Sequence, residues 1–309
     1  MKHQIIYKKP VNQYLKTLVV TLILTTFALC SKAQLNPFQT MYFQNQYMYN
    51  PAMAGLTNGL NVNLDYRQQW SSFPGAPKTG SLTADFQAAD KVGLGLNVTD
   101  DQSGLIRSTR AMATYAYHLP LSDKTEHLSF GLSLGINDSR VDYNKINGDL
   151  SDVEIGLYNQ LKPYVDGDFG IAYTSERLYI GGALPNLRSA FFKTSDTRFD
   201  ADRMLFMAAT SYKIPIDEVT RTFTLEPLAA YRIVKGYKDI VDVGANFSVN
   251  NYGLYMQGIY HSDQSMAVGF GLDQNTYALN FSYNIETGQI RNYTVGAFEL
   301  GIKLRIPKK

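Results

Sequence analysis

The chain has 309 residues but one cysteine, one tryptophan, four histidines and only 18% charged residues. Each scarcity excludes something. A lone Cys30 admits no intrachain disulfide and no multi-cysteine metal site. No two histidines stand as HxH or HxxxH, so zinc-site spacing is missing; His118, His127 and His261 read as strand-end or loop residues. There is no GxxxxGK phosphate loop. No Ser/His/Asp arrangement stands out, which weighs against a membrane hydrolase. Beyond residue 33, no uncharged apolar run is long enough to cross a bilayer as a helix. The loop "GDLSDVEIG" gathers Asp149, Asp152 and Glu154, but without EF-hand spacing, and reads as a solvated loop. No metal, cofactor or catalytic residue is expected.

The leader is easier to read. Lys2, Lys8, Lys9 and Lys16 precede an apolar run over 18–29, and small residues follow at Ser31 and Ala33. That is the layout of a secretory signal peptide over residues 1–33, cleaved after Ala33. Acylation of Cys30 is the rival, disfavoured by the bulky Leu29 before it. Cleavage removes five of the 29 basic residues and leaves 24 against 27 acidic, a formal net charge of −3. The +2 of the whole chain therefore gives no reason to expect a nucleic-acid partner.

From residue 59 onward, alternation dominates. "LSFGLSLGI" sets Leu128, Phe130, Leu132, Leu134 and Ile136 against Ser129, Gly131, Ser133 and Gly135. "VGLGLNV", "MAVGFGL" and "YALNFSYN" repeat the scheme. The GxG of "VGLGLNV" lies inside a strand and reads as part of a small stripe, not a nucleotide loop. Fourteen strands are predicted: 59–68, 78–88, 91–99, 107–118, 127–137, 167–174, 177–183, 203–213, 221–233, 239–248, 251–260, 265–273, 276–285 and 295–307. Twelve is the alternative, because 177–183 is short. In a soluble sandwich the large residues would face a core. In an outer-membrane barrel they face lipid, and the small polar face lines the lumen. Long and short connections tend to alternate, the longest at 138–166 and 184–202. That favours an up-and-down antiparallel barrel whose two termini lie in the periplasm.

Two stretches carry more specific information. One is "LNPFQTMYFQNQYMYNPAMAG", residues 35–55; the other is "YRQQWSSFPGAPKTGSLTAD", residues 66–85. Together they resemble the PorP/SprF family of Bacteroidota. Its pattern is an aromatic, Gln-rich opening that ends in NPAxAG, then YRxQW and GAPxT. The matching positions are Asn50, Pro51, Ala52, Ala54 and Gly55, then Tyr66, Arg67, Gln69 and Trp70, then Gly75, Ala76, Pro77 and Thr79. A looser likeness continues through "DFGIAYTSERLYIGGALPNL" and "LEPLAAYRI". The chain departs from the family at "LNPFQT", which lacks the acid of a DPQF-like start, and at "SYNIE" and "FEL" near the end.

The resemblance implies an outer-membrane barrel of the type IX secretion system and gliding motility, without enzymatic activity. Its partners would be outer-membrane lipid, a secreted adhesin-like protein and a periplasmic linker protein. A channel for a small solute is the competing function. Residues 34–309 are expected to form the barrel, with 34–58 as an irregular plug-like segment. In that segment Tyr47 and Tyr49 offer apolar area with a polar tip, and Asn50 can satisfy stray backbone groups. Pro51 and Gly55 bracket a turn into the first strand. Together with Tyr66, Arg67, Trp70, Gly75 and Pro77, these residues either close the barrel floor or touch a partner. Trp70 also suits an aromatic girdle at the outer interface.

Overall fold

The alternation becomes a division of faces. In the computed structural model, Leu132, Leu134 and Ile136 point outward, and Leu134 keeps 64% of its surface exposed. Ser129, Gly131 and Ser133, one residue out of step, are buried inside. The same inversion recurs around the sheet, as at Val268 and Phe270 against Ala267 and Gly269. An outer surface so uniformly apolar would be an aggregation hazard in water and matches a bilayer instead. The large residues also pair with one another there: Phe223 stacks on Phe247 at 5.9 Å and Phe270 tilts against Phe281 at 5.2 Å.

The strands are β1 (Leu60–Gln69), β2 (Lys78–Ala89), β3 (Val92–Ser103), β4 (Ile106–Pro120), β5 (His127–Val141), β6 (Tyr164–Thr174) and β7 (Leu178–Leu184). They continue with β8 (Met204–Tyr212), β9 (Ile214–Pro215), β10 (Phe223–Val234), β11 (Ile240–Val249), β12 (Leu254–His261), β13 (Ser265–Asp273), β14 (Tyr277–Glu286) and β15 (Ala297–Ile306). Neighbours pair antiparallel in chain order, and β1 pairs with β15, Leu60 opposite Ile306 and Gln69 opposite Ala297. β9 prolongs β8 along β10 after a break at Lys213, whose N–H donates to Arg177 O instead. The result is a closed barrel of fourteen strands. The short β7 is a full member, laddered to β6 and β8.

Antiparallel closure puts the start of β1 and the end of β15 at one rim, here the terminal end. The opposite rim is the far end. Tight connections such as Asp90–Lys91 lie at the terminal end, and the two longest at the far end. β5 runs to Val141, four residues past its expected stop, so the first long connection begins later than the pattern suggested. The helix Val153–Gln160 in that connection was not anticipated. Asn159 fixes it by donating to Val141 O and accepting from Val141 N–H.

The structure describes residues 40–70, 75–122, 125–142, 153–191, 204–235, 238–287 and 296–307. The expected signal peptide, Cys30, Asp149 and Asp152 lie outside them. One compact unit covers Asn36–Lys309. No described helix is long and apolar enough to cross a membrane.

Candidate functional site in the barrel lumen

The barrel encloses a hydrophobic core made by its own N-terminal segment. Met41, Tyr42, Met48, Tyr49 and Ala52 pack on wall residues Ala172, Tyr179, Met207, Leu228 and Ile259. The segment adds no strand to the sheet. It descends as irregular chain with two short 3-10 turns, Gln46–Met48 and Pro51–Met53. Its local sequence explains the second turn. Asn50 takes extended backbone and its side chain accepts from Ala52 N–H (3.0 Å), while Pro51 supplies a preset φ where no N–H is needed.

Side chains on many strands hold it. Near the far end Thr40 donates to Glu299 (3.1 Å), and Tyr42 donates to Asp242. Lower down, Asn45 donates to Thr83 (3.0 Å) and Tyr47 to Thr114 (2.8 Å). Asn50 donates to Ile171 O (3.2 Å) and to the Tyr179 hydroxyl (3.3 Å). At the terminal end Gly55 N–H donates to Asp85 (2.9 Å), and Gly55 adopts φ +65°. Burial raises the hydroxyl pKa of Tyr42, Tyr47 and Tyr49 above the usual range, so all three remain hydrogen-bond donors.

Wall glycines make room for this chain. A Cβ on Gly93 would stand 1.9 Å from Ala54 O, and one on Gly131 would stand 2.2 Å from the Pro51 carbonyl carbon. One on Gly170 would meet Asn50 Oδ1 at 2.2 Å, and one on Gly95 the Tyr47 hydroxyl at 2.4 Å. The small stripe of "VGLGLNV" and "LSFGLSLGI" is therefore a seat for NPAMAG and the residues before it.

Of the motif residues, Tyr47, Tyr49, Asn50, Pro51 and Gly55 meet inside the lumen. The other group stands elsewhere. Tyr66 points outward, 39% exposed, against Phe298. Arg67 is buried on the lumen side of β1, opposite Glu299 on β15. Trp70 ends β1 at φ +44°, its N–H on Gly296 O (2.8 Å). Gly75 O accepts from Gly104 N–H, and Pro77 O from Gln69 N–H, which closes the β1–β2 hairpin at the far rim.

Several holding residues escaped the sequence reading. His118 lies within β4, buried, with Nδ1 on Ser129 Oγ (2.8 Å) and Nε2 on Ala54 O (2.9 Å). Asp242 is fully buried and accepts two bonds from Arg232 (2.7 and 2.9 Å) and one from His261 Nδ1 (2.6 Å). Their signal was a polar or charged residue in an inward slot of an alternating strand. The far mouth is narrowed too. Asn186 N–H donates to Asp168 and Arg188 N–H to Asp166, so the β7–β8 connection turns inward at its start. Among the described residues, no group of three His, Cys, Asp or Glu side chains is placed to hold a metal ion.

The family model of the type IX secretion system membrane protein PorP/SprF matches residues 31–304. The chain belongs to that family. No curated protein matches it. Among solved structures, the toluene transporter TodX of P. putida superposes with a TM-score of 0.50 at 12% identity, covering 87% of this chain and 95% of its own. Omp33 of Acinetobacter baumannii gives 0.47 at 11% identity, over 82% and 100%. The likeness to TodX extends to the fold alone. Family and fold together make this PorP/SprF member an outer-membrane β-barrel of the type IX pathway.

Proposed function

We propose that this barrel is non-enzymatic and helps export a large adhesin-like protein or holds it at the cell surface, as part of type IX secretion and gliding. The observation that carries the reading is the occupied lumen. A solute channel needs a continuous polar path, whereas this lumen is occupied by residues 40–55 and narrowed at its far mouth by residues 186–188. The long far-end connections then serve as the outer binding surface, because ordering loops of such length costs entropy that a bound partner can offset. In this orientation the far end faces the medium and both rim-side ends of the sheet face the periplasm, where a linker protein can reach them.

The test is a surface and culture-supernatant proteome of a deletion strain. One large secreted protein should leave the surface while other exported proteins stay. An unchanged profile combined with lost uptake of a small solute would overturn the reading in favour of a channel.

A further inference from the structure

Below the seated segment the lumen is not full. A cavity of about 420 Å³ opens at the terminal end, roofed by Phe43, Tyr47 and Met53, and a second of about 250 Å³ lies beside it. Both share Phe43, Gln44 and Lys303. The larger lies in the volume range of ligand sites. Its lining is rich in amides: Gln44, Asn45, Gln46, Asn61 and Asn63. Its charges nearly cancel. Glu176 and Arg177 are each paired elsewhere, with Arg221 and Glu218. Asp85 and Glu226 remain against Lys213 and Lys303. Such a site selects for alternating neutral donors and acceptors, not for an ion.

The wall already binds that chemistry. Asn97 Nδ2 donates to Met48 O (3.1 Å), Lys303 Nζ to Gln44 O (3.1 Å) and His118 Nε2 to Ala54 O (2.9 Å). Asp85 accepts from Gly55 N–H. These are side-chain bonds to peptide main chain, and two of the four groups, Asp85 and Lys303, also line the open cavity. We propose that the terminal-end cavity is a binding site for an extended, uncharged polypeptide segment, held by its main-chain amides. The inference rests on the export-or-anchoring reading and names what the barrel grips: an unfolded stretch of its protein partner, taken from the periplasmic side.

The test uses the full-length barrel in detergent with one cysteine added. Thr57→Cys lines the larger cavity; Thr276→Cys sits at the same rim outside both. The probe is an unstructured peptide of Gly, Ser, Asn and Thr, and the comparison ligand is maltohexaose. In the Thr57→Cys variant the peptide should protect the added thiol, saturably, from a thiol reagent. In the Thr276→Cys variant the thiol should stay reactive. Lys303→Gln or Asn63→Leu should weaken the protection at position 57 by about tenfold, the loss of one good hydrogen bond. If either variant fails to fold, the exposed Lys213→Gln serves, with a smaller loss expected. No protection, equal protection at both positions, or protection by maltohexaose alone would overturn the site. None of these results alters the deletion-strain proteome, so this inference and the export reading fail separately.

Discussion

Asp242 carries more polar contacts than its sequence setting, "IVDVG", would suggest. It lies on β11 with Arg232 on β10, His261 on β12 and Tyr42 on the seated segment all directed at it. A fully buried carboxylate is stable only with such partners. Removing one partner or the centre should therefore differ sharply. Tyr42→Phe leaves Asp242 bonded to Arg232 and His261, and should cost about 1 kcal/mol, the usual net worth of one hydrogen bond. Asp242→Ala removes both bonds that the buried Arg232 guanidinium makes to this carboxylate and should cost about 3–5 kcal/mol. Denaturant midpoints of the purified barrel in detergent would check the order. Equal, small losses would mean that water already reaches the cluster and the lumen is wetter than its burial indicates.

At the scale of elements, the seated segment and the wall fit through glycine. No ladder joins them, and each neutral side-chain tie is worth about 0.5–1.5 kcal/mol net. The close approach at Gly131 and Gly93 is thus a weak point that substitution can exploit without touching the barrel hydrogen bonds. Gly131→Val would push a side chain into Pro51 and Ala52, whereas Gly80→Ala meets nothing within 4 Å and serves as control. The variant should keep its heat-modifiable mobility on gels but show severalfold higher conductance in planar bilayers. Unchanged conductance would show that the segment does not seal the lumen. This also marks the limit of what could be read from sequence. All fourteen barrel strands follow from local alternation, which needs only neighbouring residues. The seat does not, because it joins Asn50 to Tyr179 and Tyr42 to Asp242 across separations of 129 and 200 positions. The glycine stripe was visible as a small lumen face and 34–58 as a plug-like segment, but the fit of one to the other was not, and the inward turn of Asn186 depends on Asp168 of β6.

For the whole molecule, orientation decides whether the architecture suits its proposed role. The far end carries the long connections and the inward-folded helix Leu187–Phe191. The terminal end carries short turns and one protrusion, 213–222, tied by the exposed ion pairs Arg177–Glu218 and Arg221–Glu176. Val219 stands 91% exposed at its tip. If the far end faces the medium, the long connections can hold a surface protein and the cavity at the terminal end can receive chain from the periplasm. Leu105→Cys, in the tight far-end turn after β3, should then react with a membrane-impermeant maleimide on intact cells. Val219→Cys should react only after the outer membrane is permeabilised. The opposite pattern would put the long connections in the periplasm and remove the basis for surface anchoring. Reaction at both positions on intact cells would mean that reagent passes through the lumen, and a lumen that passes reagent is not the occupied one on which the export reading depends.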